Sequence, residues 1–190
     1  GYEHVKLYIG EGAPLKLTHA AMLFDLTFQS VIIKYIGLFE LSFRSRCGRE
    51  MAERRGAFAH RNPKNFINRE FFEDFLERYG GELGRKVSTS RRVAEKYNLY
   101  GDVPIWCAVE IMSMGTLSKL YRNTKSKAIK NAVAKRYGVD FTTFSSWLRS
   151  LTDARNRCAH FGRFLGIPLS SRPKKMEGVT LDNGNAFYIV

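Results

Sequence analysis

The chain has 190 residues, 44% of them hydrophobic and 13% aromatic. This length predicts one domain, or one domain with a small appendage, and the composition indicates an ordered globular chain rather than a disordered one. The 31 Lys and Arg residues against 18 Asp and Glu residues give a formal net charge of +13, which indicates a nucleic-acid partner. A membrane partner is disfavoured, because the sequence has no uninterrupted apolar run of about 18 residues.

The three cysteines, Cys47, Cys107 and Cys158, lie far apart and form no C-x-x-C pair. This spacing argues against a zinc site and against a disulfide framework, and it fits a reducing cytoplasm. The cysteine spacing therefore predicts a cytoplasmic protein without a zinc site. We also expect no other metal and no cofactor.

Residues 1–17 are predicted to form an extended lead, because two glycines and a proline between positions 10 and 14 interrupt any helix. Thr18 is the predicted N-cap of the first helix. The apolar residues of this helix recur at helical spacing: Phe24, Phe28, Val31, Tyr35, Leu38 and Phe39. The pattern stops at Gly56 and predicts one very long helix or two helices stacked end to end, with residues 20–43 buried.

Asn68 is predicted to cap a short helix over residues 69–79, which ends at the glycines that follow from position 80. A basic stretch comes next, with Arg85, Lys86, Arg91 and Arg92. These residues either lie on a solvated loop or exposed helix face, or they contact RNA. The sequence leaves both interpretations open.

Pro104 suits the first turn of the next helix, which is predicted to continue to Gly115. A Lys-rich amphipathic helix follows over residues 124–137. Its predicted outward-facing lysines include Lys125, Lys127 and Lys130.

Asp140 is the predicted cap of the last long helix, whose pattern ends at Gly162. Asn183-Gly184 then stands between β-prone residues, which is the strongest short signal for a β-hairpin. The chain is therefore predicted to end in a small hairpin.

The last helix carries Arg155, Asn156 and His160. Because an α-helix turns 100° per residue, Asn156 and His160 share a face, and the long side chain of Arg155 can swing towards it. A cation, an amide and an imidazole can hold a phosphodiester, stabilise its developing charge and transfer a proton near neutral pH. The same spacing also arises by chance, and a single His more often packs or caps, so a structural role stays open.

Arg155-Asn156-x-x-x-His160 resembles the R-x(4–6)-H motif of the HEPN superfamily of all-helical ribonucleases. Three blocks also resemble, in the same order, Abi-like abortive infection proteins of the AbiD/AbiF type, and they span roughly residues 20–165. The blocks are Leu23-Phe24-Asp25 with Glu40-x-x-x-Arg44, residues 104–121, and Arg155-Asn156-x-Cys158-Ala159-His160 with Arg163. Phe161 stands where a second His is frequent in that family.

The resemblance implies an all-α, HEPN-like helical bundle over residues 18–165. Residues 1–17 would then be the tail of a missing N-terminal region, and residues 166–190 a C-terminal β-hairpin appendage.

The resemblance further implies an antiphage endoribonuclease that cleaves RNA by metal-independent acid–base chemistry. His160 would act as general base or acid, Arg155 would bind the scissile phosphate, and Asn156 would orient His160 or the phosphate. Supporting roles are expected for Glu40, Arg44 and Arg163.

RNA is the expected partner as the substrate, and a bound structured non-coding RNA stays open as a second RNA partner. The basic residues would guide the substrate or hold that second RNA. These are Arg85, Lys86, Arg91, Arg92, Lys125, Lys127 and Lys130. The resemblance also implies a homodimer with a composite active site and no membrane contact. Two alternatives stay open: a non-catalytic HEPN-fold module that binds RNA or acts as a scaffold, and a toxin controlled by a partner protein.

Overall fold

A computed structural model describes residues 14–175 of the chain. The predicted hairpin at Asn183-Gly184 and most of the N-terminal lead lie outside the described residues. Within them the chain forms seven α-helices: α1 (Leu15–Arg55), α2 (Arg69–Thr89), α3 (Arg91–Tyr100), α4 (Ile105–Ile111), α5 (Met114–Asn123), α6 (Lys127–Lys135) and α7 (Phe141–Ala159). Between α1 and α2 lie two short 3-10 helices, Ala59–Arg61 and Pro63–Asn65. The predicted all-α class is confirmed for the described residues.

The chain divides into two compact units. One comprises residues up to 39 and from 146 onwards, and the other comprises residues 40–145. Helices α1 and α7 each contribute residues to both units.

Helix α1 is one continuous helix of 41 residues. It starts at Leu15, four residues before the first helical residue that an N-cap at Thr18 would give, because the carbonyl of Pro14 already accepts the amides of Leu17 and Thr18. The prediction of Thr18 as the N-cap is therefore wrong. Its hydroxyl instead donates back to the Pro14 carbonyl at 3.3 Å. Helix α1 ends as predicted at Gly56, whose φ of +86° is a left-handed conformation that favours glycine.

The orientation of α1 differs from the prediction. Much of the predicted apolar stripe is exposed, including Phe24, Val31, Tyr35 and Leu38. The buried face of residues 14–39 carries Thr18, Asp25, Gln29, Ile32 and Ile36. The prediction that residues 20–43 are buried is therefore wrong for the exposed apolar residues of this stripe.

By length and composition alone, α1 is apolar enough to cross a membrane. Core helices of soluble proteins pass the same test, so this property does not decide where the protein lies. The cytoplasmic location stays a prediction.

Helix α2 continues ten residues beyond the predicted end. Its buried residues Phe72, Phe75, Tyr79 and Leu83 continue at helical spacing on both sides of the glycines. Gly80, Gly81 and Gly84 are exposed, and each costs only about 1 kcal/mol in a helix relative to Ala. The prediction that the helix ends at these glycines is therefore wrong. Burial of the continuous apolar face stabilises the helix by more than the exposed glycines destabilise it.

Helices α4 and α5 replace the single helix predicted from Pro104 to Gly115. The chain leaves the helical conformation at Met112, and the Ser113 hydroxyl accepts the Thr116 amide at 3.2 Å as the N-cap of α5. Glu82 of α2 accepts hydrogen bonds from the Ser113 amide and the Thr116 hydroxyl. Tertiary contacts with α2 thus stabilise a break that the local pattern did not show.

Candidate active site at the end of helix α7

The buried face of the last part of α7 orients the predicted catalytic residues. Ala154 and Cys158, one turn apart, pack in a core with Ile32 and Ile36 of α1 and with Phe164 and Leu169. Asn156 therefore lies on the exposed side of the helix, and Arg155 at its edge is half-buried. The helix presents the amide of Asn156 to solvent.

His160 is the C-cap residue of α7 and is exposed. The Phe161 amide donates to the Cys158 carbonyl at 3.1 Å, and the Gly162 amide donates to the Arg157 carbonyl at 2.8 Å. This pair of bonds is a Schellman motif, with Phe161 in its left-handed position at a φ of 52°. This turn ends the helix at His160 and so fixes the backbone on the C-terminal side of that residue.

The His160 amide still donates to the Asn156 carbonyl, at 3.1 Å. Helical geometry therefore extends to His160, and its Cβ lies about 6 Å from that of Asn156. Arg155 precedes His160 by five residues, which is 140° around the helix, so its guanidinium must swing round to share a phosphate with His160. The structure thus brings two of the three predicted catalytic residues together on one face.

Arg157 holds the segment that follows the turn, a role that sequence reasoning missed. Its guanidinium donates to the carbonyls of Ile167 at 2.8 Å and Pro168 at 2.9 Å. It also lies over the ring of Phe164, 5.2 Å from the centroid. Gly162 passes so close that an added Cβ would lie 2.9 Å from Cγ of Arg157. The available sequence signal was a second arginine inside the motif.

Asp25 of α1 is the second missed residue, and it is fully buried. Its carboxylate accepts the amides of Phe164 and Leu165, at 3.1 and 2.9 Å, and the side-chain amide of Gln29 at 3.0 Å. These bonds secure the backbone directly after Arg163, the predicted supporting residue, which is half-buried. A lone carboxylate within an apolar stretch was the available signal.

Cys158 is not suited to act as a nucleophile here. Burial, followed by the negative charge of Asp25, raises the pKa of its thiol to about 11. The thiol is therefore protonated near neutral pH, and the thiolate is the reactive form of cysteine. Of the groups in this stretch, the exposed imidazole of His160 is the one suited to proton transfer.

Glu40 and Arg44 belong to the other unit, residues 40–145. The guanidinium of Arg44 is nearly buried, donates to the Met112 carbonyl at 2.6 Å and also to the Val109 carbonyl, and pairs with Glu40. These bonds connect α1 to the C-terminal end of α4. A supporting role for the pair at the active site stays a prediction.

The predicted basic stretch lies on helices rather than on a loop. Arg85 and Lys86 are exposed on α2 and line a cavity of about 340 Å³ next to Glu82. Arg91 pairs with Glu95 one turn later on α3, at 2.9 Å, and Arg92 is exposed. Of the interpretations that the sequence allowed, an exposed helix face is the one observed. Contact of these four basic residues with RNA stays a prediction.

Lys125 and Lys127 are exposed as expected, but Lys130 is not. Lys130 is only 8% exposed, and its ammonium lies over the ring of Phe141, 5.0 Å from the centroid. Burial, followed by the nearby charge of Lys127, lowers its pKa. The prediction that Lys130 faces outward is wrong, because this face of α6 packs against the start of α7.

Within residues 14–175, no group of three or more His, Cys, Asp or Glu side chains is arranged to hold a metal ion. The residues of the candidate site supply an imidazole, an amide and arginine side chains.

A family model described as Abi-like protein matches residues 4–165. No curated protein and no solved structure matches the chain.

Proposed function

Because this chain belongs to the Abi-like family, which suggests a role in abortive infection of phage-infected cells, we propose that it is a HEPN-type endoribonuclease. The observation that carries the proposal is the exposed pair of Asn156 and His160 at the end of α7. Both follow Arg155 in the order of the R-x(4–6)-H motif.

The proposed reaction uses the 2′-hydroxyl of RNA as the nucleophile. A base takes the proton of this hydroxyl while the 2′-oxygen bonds to phosphorus and the bond from phosphorus to the 5′-oxygen breaks. An acid donates a proton to the leaving 5′-oxygen. The products are a 2′,3′-cyclic phosphate and a 5′-hydroxyl, and no metal ion takes part.

His160 carries out one of the two proton transfers in this proposal. Arg155 binds the scissile phosphate and offsets the charge that develops on it. Asn156 orients the imidazole or the phosphate. Arg163 lies beyond the turn, where it supports the site.

A homodimer supplies the second imidazole. Each chain has one Arg–Asn–His set, and a two-fold axis that brings two α7 ends together would form one cleft with a base and an acid. RNA held by the exposed basic residues, whether substrate or a structured non-coding RNA, completes the proposed assembly.

The decisive experiment measures cleavage of single-stranded RNA in EDTA by the wild type, by His160→Ala and by His19→Ala. His19 is an exposed histidine on α1 and serves as the matched control. We expect His160→Ala to lower the cleavage rate by a factor of about 10² or more, whereas His19→Ala cleaves like the wild type. Products should end in 2′,3′-cyclic phosphate, and an all-deoxy substrate should stay intact.

Equal cleavage by the wild type and His160→Ala would contradict the assignment of His160. Tight RNA binding without cleavage by either protein would favour the non-catalytic RNA-binding module. Weak RNA binding together with stable association with another protein would favour the partner-controlled toxin.

A further inference from the structure

A basic cavity of about 500 Å³ lies within the unit of residues 40–145. Its lining residues are Arg55, Asn62, Lys64, Asn65, Lys125 and Ser126. Three of these six side chains are cationic, and none of these six is acidic. The cavity therefore has a local charge of +3 and polar amide and hydroxyl groups between the cations.

Within the part of the chain that the structure describes, these three cations lack the acidic partners that nearby arginines have. Arg54 pairs with Glu50 at 3.0 Å, and Arg61 pairs with Asp102 at 2.8 Å. Among residues 14–175, no carboxylate lies within ion-pair distance of Arg55, Lys64 or Lys125. No acidic group among the described residues offsets the mutual repulsion of these cations, and an anionic ligand would offset it.

Backbone hydrogen bonds hold the two lysine-bearing segments together. The Lys125 amide donates to the Asn65 carbonyl at 2.7 Å, and the Ile67 amide donates to the Asn123 carbonyl at 2.8 Å. The side-chain amide of Asn65 also donates to the Ala59 carbonyl at 2.8 Å. Lys64 and Lys125 thus start from fixed backbone positions, which reduces the entropy lost when both contact one ligand.

The N-terminus of α6 also borders the cavity. Its N-cap, Ser126, accepts the Ile129 amide, and no acidic residue lies in the first turn. The amides of Lys127 and Ala128 have no acceptor within the helix, as is usual at this position. The helix dipole adds partial positive charge at the same place.

We propose that this cavity is a binding site for a phosphate group of a nucleotide or of an RNA strand. Cationic side chains on a fixed backbone and a helix N-terminus are the groups that bind phosphate oxygens. The volume falls in the range of about 300–1,000 Å³ found for small-ligand sites, so it has room for a nucleoside attached to the phosphate. The proposal does not depend on ribonuclease activity, because it concerns binding in a different unit from His160.

The test uses the full chain with His160→Ala, so that no cleavage interferes. Amide NMR spectra are recorded while inorganic phosphate, AMP or a short single-stranded RNA with hydroxyl groups at both ends is added. We expect the amides of residues 126–128 to shift with inorganic phosphate. Lys64→Gln combined with Lys125→Gln should raise the Kd for phosphate by about tenfold or more.

Lys135→Gln is the matched control, because Lys135 is exposed at the other end of α6. It removes the same type of charge and should leave the Kd for phosphate unchanged. The three cations of the cavity are exposed, and the single variant Lys125→Gln provides a milder change if the double variant unfolds.

The ligands distinguish the two sources of phosphate. Tighter binding of AMP than of the RNA identifies a nucleotide site, whereas binding of the RNA, weakened by the lysine variants, identifies a contact to bridging phosphates. The proposal is overturned if the amides of residues 126–128 do not respond, or if Lys135→Gln weakens phosphate binding as much as the lysine pair.

Discussion

At the scale of single residues, Phe161 next to His160 adopts a conformation that is unfavourable for its side chain. It occupies the left-handed position of the turn, where glycine is usual, and 69% of it is exposed. A left-handed conformation costs an L-residue with a Cβ about 1–2 kcal/mol. Little burial of the ring offsets this cost, and strain of this kind is often found beside functional sites.

Replacement of Phe161 by glycine should therefore stabilise the protein. We expect Phe161→Gly to raise the free energy of unfolding by about 1 kcal/mol, measured by urea denaturation. Phe161→Ala is the control, because it removes the ring but keeps the Cβ that causes the strain. If the glycine and alanine variants are equally stable, the strain at this position is not relieved by glycine and the argument fails.

At the scale of elements, the start of α7 depends on one carboxylate. Asp140 accepts the amides of Thr142 at 2.7 Å and Thr143 at 3.1 Å, and it also accepts both threonine hydroxyls. Hydrogen bonds from the hydroxyls of Thr142 and Thr143, the largest causes, hold the pKa of the Asp140 carboxyl well below its usual value. This helix carries Arg155, Asn156 and His160 at its other end.

The contribution of Asp140 to stability should therefore depend on pH. Its pKa is lower in the folded protein than in the unfolded chain, so the contribution is fully present above about pH 4 and is lost as the pH falls below it. Asp140→Ala should lower the urea midpoint at pH 7, and the difference from the wild type should shrink on acidification. Asp140→Asn keeps one acceptor oxygen but does not titrate, so its urea midpoint at pH 7 should lie between those of the wild type and Asp140→Ala. A difference in midpoint between the wild type and Asp140→Ala that stays the same at every pH would contradict this expectation.

At the scale of the whole molecule, the net charge of +13 is the property that RNA binding would use. Many arginines are locally paired with acids one turn away on their helices, whereas Arg85, Lys86, Lys125 and Lys127 are exposed on the described surface. If these exposed residues contact RNA phosphates specifically, replacing them should weaken RNA binding more than replacing paired residues of the same charge.

Salt dependence measures this difference. For the His160→Ala protein, the logarithm of RNA affinity should fall linearly with the logarithm of salt concentration, by about 0.7 per phosphate neutralised. Arg85→Gln with Lys86→Gln should reduce the slope by about 1.4 if both contact phosphates. Arg49→Gln with Arg69→Gln removes the same charge at paired, exposed positions and should leave the slope unchanged; equal effects of both pairs would indicate non-specific attraction.

Local patterns were sufficient for the helix ends where one side chain or one glycine acts on neighbouring backbone. Asn68 accepts the Phe71 amide at 2.8 Å, Asp140 caps α7, and Gly56 ends α1 in a left-handed conformation. Each of these interactions spans at most a few residues, so the sequence contains all its participants. The order Arg155, Asn156, His160 on one helix belongs to the same class of local information.

The remaining features depend on contacts between residues far apart in the chain. The apolar residues of α1 surround the helix, so their spacing does not choose a buried face, and the choice places Asp25 inside and Phe24 outside. The burial of Lys130 against Phe141 and the anchoring of the segment after His160 by Asp25 and Arg157 depend on packing of the same kind. Helix propensity and capping act over one turn, whereas burial is determined by which elements pack together. For this reason the motif could be recognised in the sequence, but the residues that support it could not.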